Sequence, residues 1–240
     1  MNPLHQFEIQ KLINLNLFGY DISFTNSALF MMIAICGLSA LFLYSAIKYR
    51  TIPNRLQALV EISYNLIAGM VNDNAGKEGM RFFPLIFSVF FFVLGGNLLG
   101  MIPYTFTYTS HIIVTFGLAM MVFLFVTILG FVIHGVHFFG FFVPKGVSIF
   151  LTPIIVPVEI ISYLSRTVSL SIRLFANMMA GHTMLKVFAG FCVSLGVVYG
   201  IAPLAINILL TGFEIVISCL QAYIFTILSC IYLNDAIHMH

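Results

Sequence analysis

The chain has no tryptophan, and only 8% of its residues are Asp, Glu, Lys or Arg. A soluble domain carries about a quarter charged residues. Ten basic and eight acidic side chains cannot solvate a globule of 240 residues. With 61% apolar residues and a mean hydropathy of +1.08, a soluble enzyme and a disordered chain are both excluded. The four cysteines, Cys36, Cys192, Cys219 and Cys230, lie inside apolar runs without CxxC spacing, as apolar packing residues do. A net charge of +2 gives no basic surface for nucleic acid. The start, MNPLHQFEIQKLI, lacks the basic lead, apolar core and cleavage site of a removable signal peptide. Gly-rich phosphate loops, a Ser/His/Asp order and paired hydrolase carboxylates are also missing, so no cofactor is implied. His134 and His137 (HGVH) have a spacing that could chelate metal, but two ligands in a loop are a weak signal. The chemistry points to charge movement rather than bond breaking.

What the chain does have is long charge-free runs, and their lengths set the architecture. A spanning helix needs about 20 mostly apolar residues. Residues 28–47 form one clean span. The following stretch carries Lys48, Arg50, Arg55, Glu61, Asp73, Lys77, Glu78 and Arg81. Within it, Leu56, Leu59, Val60, Ile62, Leu66, Ile67 and Met70 recur mostly at three- and four-residue steps. This predicts an amphipathic helix over 55–77 lying on the membrane surface. Residues 82–133 hold no formal charge and are far too long for one crossing, so they must fold back as a helical hairpin. The turn is read at Pro103-Tyr104-Thr105 through Thr109-Ser110, and a second loop runs from His134-Gly135 to Pro144-Lys145-Gly146. Basic residues near short loops favour the insertion-origin side. The Lys48–Arg81 stretch and the Lys145 loop agree on that side after two crossings.

The last third differs, because Glu159, Arg166, Arg173, Lys186 and Glu214 interrupt apolar runs. An ionisable group at membrane depth costs several kcal/mol and by default faces a cavity or a partner. For Arg166 and Lys186 there is a second reading, in which a residue at a helix end snorkels to the headgroups. Arg173 lies near the middle of a helix of nearly thirty residues, about 43 Å at 1.5 Å per residue. That length fits a hydrocarbon core of about 30 Å only with strong tilt. At about 100° per residue, Glu159, Arg166 and Arg173 fall within roughly a 40° arc, joined by Asn177 and edged by Ser162 and Ser169. Asn207, Thr211, Glu214, Ser218 and Gln221 form a second stripe about 80° wide. Two such helices, over 147–185 and 203–235 with a loop near Gly190–Gly200, can pack as a hairpin and line aqueous paths. His182 titrates near neutral pH and pairs plausibly with Glu214 across the helices, although a lone histidine on an apolar face is usually a core residue. These expectations make a single all-α integral membrane domain over 1–240. It has an N-terminal segment (1–27), about five spans and one surface helix, the last two spans long and strongly tilted.

The run Ser169-Leu-Ser-Ile-Arg173-Leu-Phe-Ala-Asn177-Met-Met-Ala-Gly-His182 closely resembles the signature of subunit a of F-type ATP synthases. So does the ending Gln221-Ala-Tyr-Ile-Phe-Thr-Ile-Leu-Ser-Cys-Ile-Tyr-Leu-Asn-Asp235. The stretches Asp21–Asn26, Asn97–Tyr104 and Thr109–Ile113 look like the same family, so the likeness covers essentially the whole chain. The resemblance implies a non-catalytic, proton-translocating stator subunit beside a rotating ring of c subunits. Its other partners would be the peripheral stalk, further membrane subunits and the lipid bilayer, in a mitochondrial inner or alphaproteobacterial plasma membrane. Arg173 would face the ring carboxylates, and ATP chemistry would sit on other subunits. By position Asn177, His182, Glu214 and Gln221 match the positive-side half-channel, and Ser169 and Glu159 the negative-side exit. Many bacterial members exchange the histidine and the acid between the helices; His182 with Glu214 resembles the mitochondrial and alphaproteobacterial order. An ion-coupled secondary transporter is the alternative. It expects internal repeats or broken helices in both halves, whereas here the deep charges are confined to one third. In a third reading, a structural respiratory subunit, the polar stripes merely glue helices together.

Overall fold

A computed structural model describes residues 7–14, 16–17, 20–21, 23–102, 105–135, 138, 140 and 152–238. Ile22, Pro103, Tyr104, His137, the Pro144-Lys145-Gly146 loop and residues 147–151 lie outside the described residues. The described residues of the N-terminal segment include four short strands. β1 (Lys11–Ile13) pairs antiparallel with β4 (Phe24–Thr25), and β2 (Asn16–Leu17) with β3 (Tyr20–Asp21). Asn26 ties this segment down: its Oδ1 accepts from the Gln10 N–H at 3.3 Å and its Nδ2 donates to the Glu8 carbonyl at 3.2 Å.

Among the described residues, five helical stretches are long and apolar enough to cross a membrane. α1 spans Asn26–Ile47, and Thr25 caps it by accepting from the Ala28 N–H. α2, Arg55–Gly79, kinks at Gly76, whose φ of 66° belongs to the left-handed region that glycine tolerates. A short 3₁₀ turn, Met80–Phe82, leads directly into α3, Phe83–Gly100. α4 spans Ile112–His134, α5 Thr152–Ser194, α6 Gly196–Tyr199 and α7 Ile201–Ile237. The regular 55–70 periodicity does not stay on one face of α2. Ile67, Met70 and Val71 turn into the core, while Leu56, Leu59, Ile62 and Leu66 stay exposed on the chain's outer surface.

α7 is the centre of the molecule. Its Ala222, Phe225 and Cys230 join Ile67 and Val71 of α2, Phe90 and Val93 of α3, Val122 of α4 and Leu174 of α5 in one apolar core. In lipid, hydroxyls must find partners within the protein. Thr127, Thr183, Thr211, Thr226 and Ser229 do so by donating to the carbonyl four residues earlier, at 2.7–2.9 Å.

α5 reaches 43 residues and α7 37. At 1.5 Å per residue α5 is about twice as long as a hydrocarbon core is thick. The helix ends beyond the expected 185. Gly196, at φ 72°, interrupts the helical path just after Ser194, and the Gly190–Gly200 connection is itself largely helical. Lys186 therefore lies inside α5 rather than at its end, and the helix-end account of its charge falls away.

Candidate functional site

The two polar stripes have different destinations. The inward face of α5 is the line Tyr163, Thr167, Leu170, Ser171, Leu174, Met178 and His182. The arc of Glu159, Arg166, Arg173 and Ser169 lies beside and outside that face. Arg173 and Ser169 are exposed, while Glu159, Arg166 and Asn177 are half-buried. The α7 stripe turns inward instead: Glu214, Ser218 and Gln221 are buried, and Asn207 and Thr211 half-buried. The stripes thus do not face each other across the hairpin. Residue spacing fixes angles around one helix axis but not the rotation of that helix against its neighbours.

Arg173 makes no hydrogen bond or ion pair among the described residues, and Tyr232 of α7 lies within its electrostatic reach. Arg166 is different. Its Nη1 stands 3.5 Å from Oδ2 of Asp235, tying α5 to the end of α7. Nothing in the spacing of Arg166 alone signals this partner, because the pair is separated by 69 residues. His134 is likewise engaged. Its Nε2 lies 3.1 Å from the Ala236 carbonyl and 3.2 Å from that of Ile237. A carbonyl only accepts, so that nitrogen carries a proton and is a donor.

The buried cluster lies where α3, α5 and α7 meet the loop before α4. His182 Nδ1 faces Glu214 Oε1 at 3.5 Å, both side chains less than a tenth exposed. On the opposite side of the ring, His182 Nε2 is 3.1 Å from Thr107 Oγ1. A hydroxyl, an imidazole and a carboxyl therefore stand in line. The 3.5 Å gap exceeds a hydrogen bond and closes with a shift of a few tenths of an ångström or with one bridging water. Gly181 makes the approach possible: a Cβ there would lie 2.5 Å from Glu214 Oε1. Phe7 of the N-terminal segment puts its ring 6.5 Å from that of His182.

Further along α7, Asn97 Nδ2 of α3 donates to the Ser218 carbonyl at 3.2 Å, and Ser218 Oγ rests 3.7 Å from Met178 Sδ. Asn97 Oδ1, both Glu214 carboxyl oxygens, Gln221 Nε2, Asn207 Oδ1 and Thr109 Oγ1 are buried without a hydrogen-bond partner among the described residues. Orphans at this density fit groups that meet water. Thr107 and Asn97 are the members that spacing missed. Both approach from outside the last two helices; the polar turn hinted at Thr107, and Asn97 stood only at the head of a stretch that resembles the family.

A family model described as ATP synthase A chain matches residues 28–234. The chain belongs to that family. A relative from Rhodospirillum rubrum named ATP synthase subunit a is 53% identical over 240 residues, covering 100% of this chain and 99% of the relative. One of the same name from Mesorhizobium japonicum is 53% identical over 245 residues, covering 99% and 97%. The chain is a multi-pass membrane subunit of an F-type ATP synthase. In this ATP synthase subunit the all-α membrane architecture expected from the charge gaps holds.

Proposed function

We propose that this subunit is the non-catalytic stator of the membrane motor, guiding protons to and from carboxylates on a ring of c subunits through two aqueous half-channels. The observation that carries it is Arg173: exposed near the middle of a spanning helix, with no acid against it among the described residues. A guanidinium at such depth costs about 2.5–3.5 kcal/mol on insertion scales and calls for an anion or water. A carboxylate carried past by a neighbouring ring supplies that anion. The fixed cation favours its deprotonated form where ring and stator meet, and the same charge repels protons from a direct crossing between the channels.

The positive-side path runs through Thr107, His182, Glu214, Asn177 and Gln221. In it the imidazole takes a proton on one nitrogen and releases another from its second nitrogen, passing charge between Thr107 and Glu214 without turning the ring. Orphaned buried atoms around Glu214 and Gln221 support water in this path. The negative-side exit uses Ser169 and Glu159, on the outward arc of α5. The ring, the peripheral stalk and other membrane subunits are the partners, and ATP chemistry resides in other subunits.

Arg173→Ala tests the reading in inverted membrane vesicles. ATP-driven proton pumping falls to background while the assembled complex is recovered at normal abundance. Coupled pumping that survives in the variant overturns the assignment.

A further inference from the structure

Proton translocation makes no use of the elbow between α1 and α2. The first span ends at Ile47, and Lys48, Arg50 and Arg55 follow within eight residues. The elbow encloses a cavity of about 90 Å³ lined by Tyr44, Ser45, Lys48, Arg50, Asn54 and Gln57, among others. By the same measure about 10–15 Å³ already holds a water, so a phosphate group fits.

The cavity is built rather than incidental. Gln57 is only 4% exposed. Its Oε1 accepts from the Arg50 N–H at 3.1 Å, and its Nε2 donates to the Arg50 carbonyl at 2.9 Å. The backbone of Arg50 is thereby clamped on both sides. Gln57 also donates to Glu61 Oε1 at 2.7 Å, which holds the nearby acid one turn up α2. Lys48 Nζ lies 3.3 Å from Tyr44 Oη and 4.7 Å above that ring's centroid, so the ammonium folds back over the end of the span. The Arg50 guanidinium makes no hydrogen bond or ion pair among the described residues, and Asn54, which caps α2, makes no side-chain cap bond. Beside these polar groups stand large exposed apolar ones: Ile47 at 81%, Tyr49 at 71% and Ile52 at 84%.

Cations in a concave site, bordered by exposed aliphatic side chains at the end of a membrane span, match an amphiphile and not a free ion. We infer that the α1–α2 elbow binds one anionic phospholipid. Lys48 and Arg50 hold its phosphate, Tyr44 and Asn54 supply further polar contacts, and the acyl chains lie along Ile47 and Ile52. Guanidinium matches phosphate oxygens in pairs, and basic pockets on the positive-inside face meet the leaflet where anionic lipids act on them.

The test uses the intact synthase, reconstituted in vesicles of phosphatidylcholine and phosphatidylglycerol, re-extracted in mild detergent and analysed for retained lipid by native mass spectrometry. The unmodified complex retains phosphatidylglycerol over phosphatidylcholine, and added salt weakens the preference; equal retention of both overturns the inference without any variant. Lys48→Gln and Arg50→Gln each weaken retention about fivefold, the equivalent of about 1 kcal/mol per basic residue near an anionic surface. Arg50→Lys keeps most of it. Lys77→Gln, at the far end of α2, removes the same charge without touching the cavity and leaves retention unchanged. Equal loss in the Lys77 variant reduces the effect to general surface charge and overturns the site. Glycerol 1-phosphate has the phosphate without the tails and displaces the lipid poorly; displacement at equal concentration identifies a free-phosphate site and overturns the lipid assignment.

Discussion

At Gly181 a missing methyl group sets the position of the acid on the facing helix. An alanine Cβ would stand 2.5 Å from Oε1 and 2.7 Å from Cδ of Glu214. Because the carboxyl is the far end of a flexible side chain, it swings aside rather than forcing the helices apart. The swing widens a His182–Glu214 gap that is already 3.5 Å. Misplacing a reacting group by about 1 Å can cost about 100-fold in rate. Gly181→Ala is therefore expected to leave the complex assembled and to slow passive proton conduction through the membrane sector by one to two orders of magnitude. Conduction at the unmodified rate would mean that Glu214 does not receive its proton from His182. The sequence displayed both members of this pair, since each is an ionisable group inside an apolar run. It did not display the glycine's part, because a close approach between helices leaves no mark on spacing within either one.

Among the elements, the loop before α4 was the least legible. Its polar turn was visible, but Thr107 reaches His182 across 75 residues of sequence. The 3₁₀ turn Tyr108–Ser110 that aims it depends on Tyr108, which is fully buried and donates to the Phe92 carbonyl at 2.8 Å. The four strands were invisible for a related reason. Runs of two or three residues carry no periodicity, and the Asn26 side chain that ties down the stretch before β1 lies outside all four strands. The spans were legible because a lipid-facing helix must exclude charge along its whole length.

The same loop carries a pH dependence. His111 stacks on Phe106 at 5.0 Å and precedes the first turn of α4, and its burial holds the ring below its usual pKa of 6.5. The partial positive charge of the helix N-terminus acts in the same direction. A lowered native value means that the unfolded chain takes up the proton first. Its stability contribution is complete above about pH 6.5 and is lost as pH falls towards the lowered native value. Hydrogen exchange at the start of α4, taken relative to the intrinsic amide rate at each pH, is expected to accelerate as pH falls below about 6.5, with His111→Gln flattening that rise. A rise of equal size in the variant would assign the acid sensitivity to another group.

For the whole molecule, the decisive feature is that one polar stripe closes inward and the other is left open. The α7 stripe turns towards the polar cluster around His182, where its unpartnered buried atoms call for water. The α5 arc ends in Arg173 and Ser169, exposed on a helix whose inward face is already filled by Leu170, Leu174 and Met178. Lipid solvates such an arc poorly, and on the proposed function the surface that covers it is a neighbouring ring bearing acids at the same depth. Cysteine cross-linking separates this from a lipid-facing arc. With Cys36, Cys192, Cys219 and Cys230 replaced, Ser169→Cys places one thiol about a turn from Arg173, on the exposed face. Leu170→Cys, next to it in sequence, points into a site only 2% exposed. A disulfide requires Cα atoms within about 7 Å, so a second cysteine beside the ring carboxylate pairs only with a stator residue facing it. Oxidation is expected to join Ser169→Cys to the ring subunit, to stop ATP-driven rotation until reductant is added, and to leave Leu170→Cys uncoupled. If both thiols stay free while the complex pumps normally, the arc faces something other than the ring, and Arg173 would need a different anion.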